Sequence, residues 1–187
     1  MRIISGNFKG RKILEPKDKE TRPLKDLTKE SIFNIINHSN KFSININKAL
    51  VLDLFSGVGS FGIECLSQGA KHVTFVEKYD LVLPILKKNL NNLKSIKNYR
   101  IIEKDILDKF DFNELKNNFD IIFLDPPYRE KAIDKILELI IKNKKLKNNG
   151  IIIIHRHKKE TDTFPENFYI IDEKKYGISK IIFGSYL

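Results

Sequence analysis

Four acidic residues, Asp53, Glu77, Asp105 and Asp125, each close a short apolar run: "ALVLD", "HVTFVE", "YRIIEKD" and "FDIIFLD". A charge at the end of a greasy strand is costly unless it meets solvent, a partner or a ligand. The first run leads straight into "DLFSGVGSFG", which holds Gly57-x-Gly59-x-x-Gly62. Glycine lets a backbone come close to a ligand and take positive φ. Glu77 lies 20 residues after Gly57, a spacing that sets a carboxylate to accept hydrogen bonds from ribose hydroxyls. The fourth run ends in Asp125-Pro126-Pro127-Tyr128. Both prolines fix φ and lack an N–H, and each pushes the residue before it into an extended form. Asp125 and Tyr128 therefore sit on a stiff, preset stretch just past a strand.

The glycine loop suits either a nicotinamide dinucleotide or S-adenosylmethionine. A carboxylate at Asp53 repels a diphosphate and favours a ligand with an ammonium group. Asp105 is placed to accept from an adenine amino group. Both acids favour the cationic sulfonium amino acid. The stiff corner suits transfer to a planar exocyclic amine, whose lone pair is lent to its ring. Asp125 and the Pro126 carbonyl would accept the two N–H bonds, and Tyr128 would stack on the ring, worth about 1–3 kcal/mol. Rate would come from positioning and fixed dipoles. Bland readings stand beside these: a tight turn at the glycines, a helix cap at Asp125 and simple packing at Tyr128. An NAD-dependent oxidoreductase lacks a convincing acid–base set here. A non-enzymatic RNA-binding module leaves the strand-end acids unexplained. No metal site is expected.

The elements that must carry these residues alternate. Strands are expected at 49–53, 72–77, 99–105, 119–125 and 150–155, and helices after the glycine loop to about Gly69, at 81–93 and at 131–141. Pro84 fits its helix only in the first turn. The tail "NFYIIDEKKYGISKIIFGSYL" reads as two strands around a turn. Continuous apolar strands alternating with helices indicate a doubly wound, seven-stranded, mostly parallel α/β sheet of the Rossmann-like kind. Ligands in such sheets lie beyond the C-terminal strand ends. Upstream, "RIISGNFKGRKI" (Arg2–Ile13) reads as a β-hairpin. Residues 15–25 read as loop, and Asp26–His38 as a helix with Asp26 as its N-cap. The chain divides into a basic extension, 1–48, and a catalytic domain, 49–187.

Of the 187 residues 34 are Lys or Arg and 24 Asp or Glu, a net charge of +10. Residues 1–48 hold 11 basic and 5 acidic residues, +6; the remaining 23 and 19 give +4. Only 6 of the basic residues are Arg, a bias that an AT-rich genome would also produce. Compositional drift spreads evenly, however, and this excess does not. It favours a local platform for a polyanion such as RNA, formed by Arg2, Lys9, Arg11, Lys12 and Arg22. The single cysteine, Cys65, allows no internal disulfide and suits a reducing cytoplasm. No membrane span or signal peptide is expected.

"DLFSGVGSFGIE", Glu77, Asp105 and "DPPY" together resemble a class I S-adenosylmethionine-dependent methyltransferase acting on amino groups. "RIISGNFKGRKI", "TRP", "DLTKESIFNII" and the tail "KKYGISKIIF" are similar to the bacterial family that methylates guanine N2 in small-subunit (16S) ribosomal RNA. The resemblance covers nearly the whole chain. It implies that Asp53, Phe55, Gly57, Gly59, Gly62, Glu77, Lys78, Asp105, Ile106 and Asp125 bind S-adenosylmethionine, and that Asp125, Pro126, Pro127 and Tyr128 position the amine. The acid–Pro–Pro–Tyr motif is shared with adenine-N6 enzymes of DNA or RNA, which are the alternative. The implied partner is ribosomal RNA, free or in a partly assembled subunit, met by a monomer. Departures from the family pattern are Leu24 after "RP", "YGIS" in the tail, and "HRHKK" at the end of the fifth strand, where an acid is common. His155, Arg156 and His157 read either as a solvated strand end or as phosphate contacts.

Overall fold

A computed structural model describes residues 1–16, 24–108, 110–127 and 132–186. The expected arm residue Arg22 and the expected ring-stacking Tyr128 lie outside the described residues.

The sheet has seven strands: β1 (Leu50–Leu54), β2 (His72–Glu77), β3 (Tyr99–Glu103), β4 (Phe119–Leu124), β5 (Leu146–His157), β6 (Phe168–Tyr176) and β7 (Ser179–Tyr186). Their order is β3-β2-β1-β4-β5-β7-β6. The first five are parallel, and β7 runs antiparallel between β5 and β6. The described residues also form four α-helices: α1 (Asp26–His38), α2 (Ser60–Ser67), α3 (Leu83–Asn91) and α4 (Ile133–Lys142).

The apolar runs are continuous because both sheet faces are buried. Side chains alternate along a strand. Val51, Phe75, Ile121, Phe123 and Ile153 pack on one face with α1, α2 and α3. Leu52, Val76, Ile122, Leu124 and Ile154 pack on the other with α4. Phe61 of α2 stacks on Phe123 with centroids 4.1 Å apart, and Phe33 of α1 lies 5.2 Å from Phe61. The aromatic column fixes the depth of both helices over β4.

The N-terminal segment differs from a regular hairpin. A single antiparallel bridge joins Arg2 and Lys12, and a 3-10 turn at Gly6–Phe8 makes the tip. Its two arms are joined by cross-strand bonds, with Ile3 donating to the Arg11 carbonyl, Gly10 to the Ile3 carbonyl and Ile13 to the Met1 carbonyl, and other donors near the tip go to α2. Ile4 and Ser5 donate to the two carboxylate oxygens of Glu64 (2.9 and 2.8 Å), and Phe8 donates to the Ser67 hydroxyl (3.0 Å). Gly6 has φ 77, and a Cβ there would stand 2.0 Å from the Ser67 carbonyl oxygen. Only glycine permits that approach.

Glu64 is also the partner of Lys29 on α1, at 3.4 Å, and both side chains are 0% exposed. Lys29 donates to the Arg2 carbonyl at 2.6 Å. Burial pulls the Lys29 pKa below its ordinary value, while Glu64 and Asp26 hold it up. Asp26 itself lies inside the first turn of α1 and Lys25 takes the N-cap position, with no side-chain cap bond. Asp26 instead accepts from the Arg2 N–H at 3.3 Å. Three segments thus meet on one buried carboxylate: the N-terminal segment, α1 and α2.

Other boundaries shift slightly. Pro84 falls in the first turn of α3, as its missing N–H requires. β3 stops at Glu103, so Asp105 lies two residues past the strand. β5 continues to His157 because β7 pairs with it to the end, Arg156 opposite Lys180 and His157 opposite Ser179.

Removing one member of a buried ion pair costs about 3–5 kcal/mol, because the other charge is stranded. Glu64→Ala is therefore expected to lower unfolding free energy by about that much, read from urea denaturation midpoints. A loss under about 1 kcal/mol would mean the pair behaves like a surface one.

Candidate active site

The parallel register sets the C-terminal ends of β1, β2, β3 and β4 side by side. Each strand delivers one acid there, and each acid already has a donor.

Asp53 is 1% exposed and accepts from the Gly62 N–H at 2.9 Å. Burial pushes its carboxyl well above the usual carboxylate range. The Gly62 bond opposes that, and the Asp125 and Glu77 carboxylates add to it. Asp53 braces the loop from behind rather than standing open to a ligand. Gly62 permits this: a Cβ there would lie 2.3 Å from the Phe75 ring and 2.9 Å from Asp53.

Gly57 and Gly59 have φ of 55 and 83, and a Cβ on Gly57 would meet nothing within 4 Å. The loop is therefore open at Gly57 and cannot be relaxed by ordinary residues. Phe55, half-buried, is also held at φ 57. Positive φ on a bulky aromatic stores strain, which concentrates where backbone must meet a ligand. Glu77 accepts from the Gly57 N–H at 2.7 Å through one oxygen, and from Lys78 and Tyr79 N–H at 2.8 Å through the other.

Asp105 pairs with the Lys78 ammonium at 2.6 Å and accepts from the Leu107 N–H at 2.9 Å. Burial alone would raise its pKa, but these partners hold it below the usual value. Ile106 beside it is buried in the apolar layer under α4.

Asp125 follows β4 directly, and its N–H donates to the Leu54 carbonyl at 3.3 Å. Its Oδ1 meets Nδ1 of His155 at 2.8 Å. Nε2 of His155 meets the Ser179 hydroxyl at 2.9 Å. On the opposite side of β5, Arg156 reaches the Pro127 carbonyl at 3.4 Å and Asp162 at 2.9 Å. His155 is 6% exposed and Arg156 is 1% exposed. The solvated strand end that the sequence suggested is therefore incorrect for both. The pairing of β5 with β7 closes that end over, and the local sequence carries no sign of it.

Of the basic platform, Arg2, Lys9, Arg11 and Lys12 are exposed. Arg11 lies over the Phe8 ring at 4.8 Å and donates to the Asn92 carbonyl. Just past these residues the chain is tied to the glycine loop, because Asn89 of α3 donates to both the Leu14 and the Val58 carbonyls. Two surface hollows, of about 600 Å³ between α1 and β6 and about 350 Å³ around His72 and Arg100, contain none of the four strand-tip acids.

The family model described as "conserved hypothetical protein 95" matches residues 1–185. The chain belongs to that family. It is 36% identical to the ribosomal RNA small subunit methyltransferase D of Haemophilus influenzae, over 95% of this chain and 90% of that one. It is 34% identical to the protein of the same name from Buchnera aphidicola subsp. Baizongia pistaciae, over 100% and 91%. An Escherichia coli structure described as a candidate methyltransferase superposes with a TM-score of 0.80 at 27% identity, over 100% of this chain and 97% of that one. The family's fold is thus the doubly wound sheet described above.

The donor set fits S-adenosylmethionine. Glu77, Asp105 and Asp125 around an open glycine loop, with Asp53 behind it, suit a ligand bearing a sulfonium, an ammonium and ribose hydroxyls, and oppose a diphosphate.

His155 carries a pH signature. Burial lowers its pKa, but the Asp125 carboxylate raises it more, and the net direction is up, with Arg156 opposing. A folded pKa above the unfolded one, about 6.5, means the folded state holds the proton more tightly. That stabilisation is complete below the unfolded value and is lost as pH rises through the folded one. The melting-temperature gap between the wild type and His155→Asn should therefore narrow from pH 6 to pH 8.5. A gap that does not change with pH would mean that the imidazole titrates alike in both states.

Proposed function

We propose that this chain transfers a methyl group from S-adenosylmethionine to the exocyclic N2 amine of a guanine in small-subunit ribosomal RNA. The coarser statement, an S-adenosylmethionine-dependent ribosomal RNA methyltransferase, rests on family membership and on the relatives' names. The observation that supports transfer to an exocyclic amine is Asp125, held at the tip of β4 against β1, the strand that feeds the glycine loop; guanine N2 follows from the resemblance to the small-subunit enzymes.

Bound S-adenosylmethionine supplies an electrophilic methyl group on a sulfonium. The Phe55–Gly59 backbone and Glu77 would hold the cofactor, with Asp53 fixing the loop through Gly62. Lys78, Asp105 and Ile106 would flank its base. Asp125 and the Pro126 carbonyl accept the two N–H bonds of the target amine and orient its lone pair. Pro127 keeps that corner stiff, and Tyr128 would stack on the ring. Fixed acceptors need no reorganisation during the reaction, so positioning and dipoles supply the rate. The same corner would serve an adenine amine. The relatives' names favour ribosomal RNA, and adenine methylation is the outcome that would displace this reading.

Arg2, Lys9, Arg11 and Lys12, with Arg22, would grip phosphates beside the site. In this reading residues 1–48 are the RNA platform and 49–187 the catalytic domain of a cytoplasmic monomer. A partly assembled subunit suits a platform that reads backbone and shape. No helix among the described residues is long and apolar enough to cross a membrane.

Two experiments test this. Radiolabelled methyl transfer to small-subunit ribosomal RNA, followed by nucleoside digestion, should yield N2-methylguanosine; N6-methyladenosine would overturn the assignment. Asp125→Ala should cut turnover at least about 100-fold, the usual scale for loss of one preorganised group, with cofactor affinity nearly unchanged by calorimetry. Separately, Lys9→Ala with Lys12→Ala should weaken RNA binding and make the slope of log affinity against log salt shallower by about 1–2. Cofactor affinity should hold. An unchanged slope would remove these two lysines from the RNA contact.

A further inference from the structure

Asp125 can accept a target amine only if its carboxylate is held in one orientation. Pro126 and Pro127 fix the backbone of the corner, but they do not fix the Asp125 side chain. Something else must set it. Oδ1 of Asp125 is engaged by Nδ1 of His155 at 2.8 Å, and the far side of the same imidazole is engaged by the Ser179 hydroxyl at 2.9 Å. The ring is buried on β5, in the strand next to β4, and Ser179 is buried at the start of β7. The His155 ring therefore sits between two fixed strands, with both nitrogens occupied.

We propose that His155 is a positioning residue: it locks the Asp125 carboxylate through Oδ1, leaving Oδ2 to accept from the target amine, while Ser179 fixes the ring. The inference rests on the reading of Asp125 given above. Nδ1 must carry a proton, because an ionised carboxylate only accepts. Nε2 then accepts from the Ser179 hydroxyl when the ring is neutral, or donates to it when the ring is charged. The hydroxyl can turn to serve either state, so the grip on Asp125 survives both. Buried histidines held this way commonly orient a neighbouring group through their second nitrogen.

Three variants separate positioning from bulk. In His155→Asn the amide nitrogen stands close to where Nδ1 stood and can still donate to Asp125. In His155→Gln the donor moves outward toward the Nε2 position, and His155→Ala has none. Methyl transfer is measured with each, alongside calorimetry of S-adenosylmethionine binding and a thermal melt that sets the folded fraction. His155→Ala and His155→Gln should lower kcat by about 10–100-fold, the scale of a misplacement near 1 Å. KM for RNA and cofactor affinity should stay within about twofold, as expected when only the transition state is affected. His155→Asn should recover most of the lost kcat.

Wild-type kcat in His155→Ala or His155→Gln would overturn the proposal. So would a His155→Asn protein that is folded but no faster than His155→Gln. Should His155→Ala fail to fold, the Asn and Gln pair decides. Asp125→Asn is assayed in parallel. If it keeps full turnover, the reading of Asp125 fails and this inference with it. If it is inactive while His155→Gln is fully active, only the inference fails.

Discussion

A parallel sheet places every strand's C-terminal end along one edge, and here four adjacent strands each bring an acid to it. Four carboxylates in so small a space repel one another: the Asp53 pKa is raised chiefly by burial, and the Asp125 and Glu77 carboxylates add to it. The fold tolerates the crowding because each acid has its own donor. Asp53 has the Gly62 N–H, Glu77 the N–H groups of Gly57, Lys78 and Tyr79, Asp105 the Lys78 ammonium, and Asp125 the His155 ring. For three of the four acids these donors are backbone or side-chain groups of the glycine motif or of the turn after β2. The loop is therefore shaped by the acids as much as by its glycines.

The same economy connects the basic arm to the site. Glu64 sits on the helix that the glycine loop opens, and the N-terminal segment spends two backbone N–H groups on it. A buried charge pair adds little net stability by itself. Its effect here is on placement. Ile3 and Ile13 are sealed into the same apolar layer as α2 and β1, and Asn89 links Leu14 to Val58 in the loop. A positive surface is thereby held at a fixed offset from an acidic edge. On the proposed reading, RNA phosphates would meet that surface, while the carboxylates repel them.

Much of this was legible in the sequence, and what was not has a physical reason. Continuous apolar strands and the glycine spacing are local patterns, so the sheet, the loop and the four acids could be read directly. The Lys29–Glu64 pair could not. An acid or a lysine on a helix usually faces water, and only the docking of a distant segment buries these two. A glutamate within "SFGIECLS", otherwise rich in apolar and small residues, was the one available sign. The Arg2–Ile13 hairpin was legible as a turn between two arms, but its docking was not, since Ile4, Ser5 and Phe8 donate to side chains of α2 far away in sequence. His155 and Arg156 looked like a solvated strand end because their burial depends on β7, more than twenty residues further on.

The proline corner explains why β5 carries those two residues side by side. Prolines cannot be tied down through N–H groups, so the stretch after Asp125 has only carbonyls and one carboxylate by which the sheet can hold it. Successive side chains on a strand point to opposite faces. His155 and Arg156 therefore approach the corner from opposite sides, one taking the Asp125 carboxylate and the other the Pro127 carbonyl. Arg156 is fixed in turn by Asp162, which lies 3.6 Å from Lys180 on β7. Ser179, next to Lys180, fixes His155. One antiparallel pairing thus steadies both grips. The late strands of the fold, remote in sequence from the glycine loop, therefore brace the proline corner.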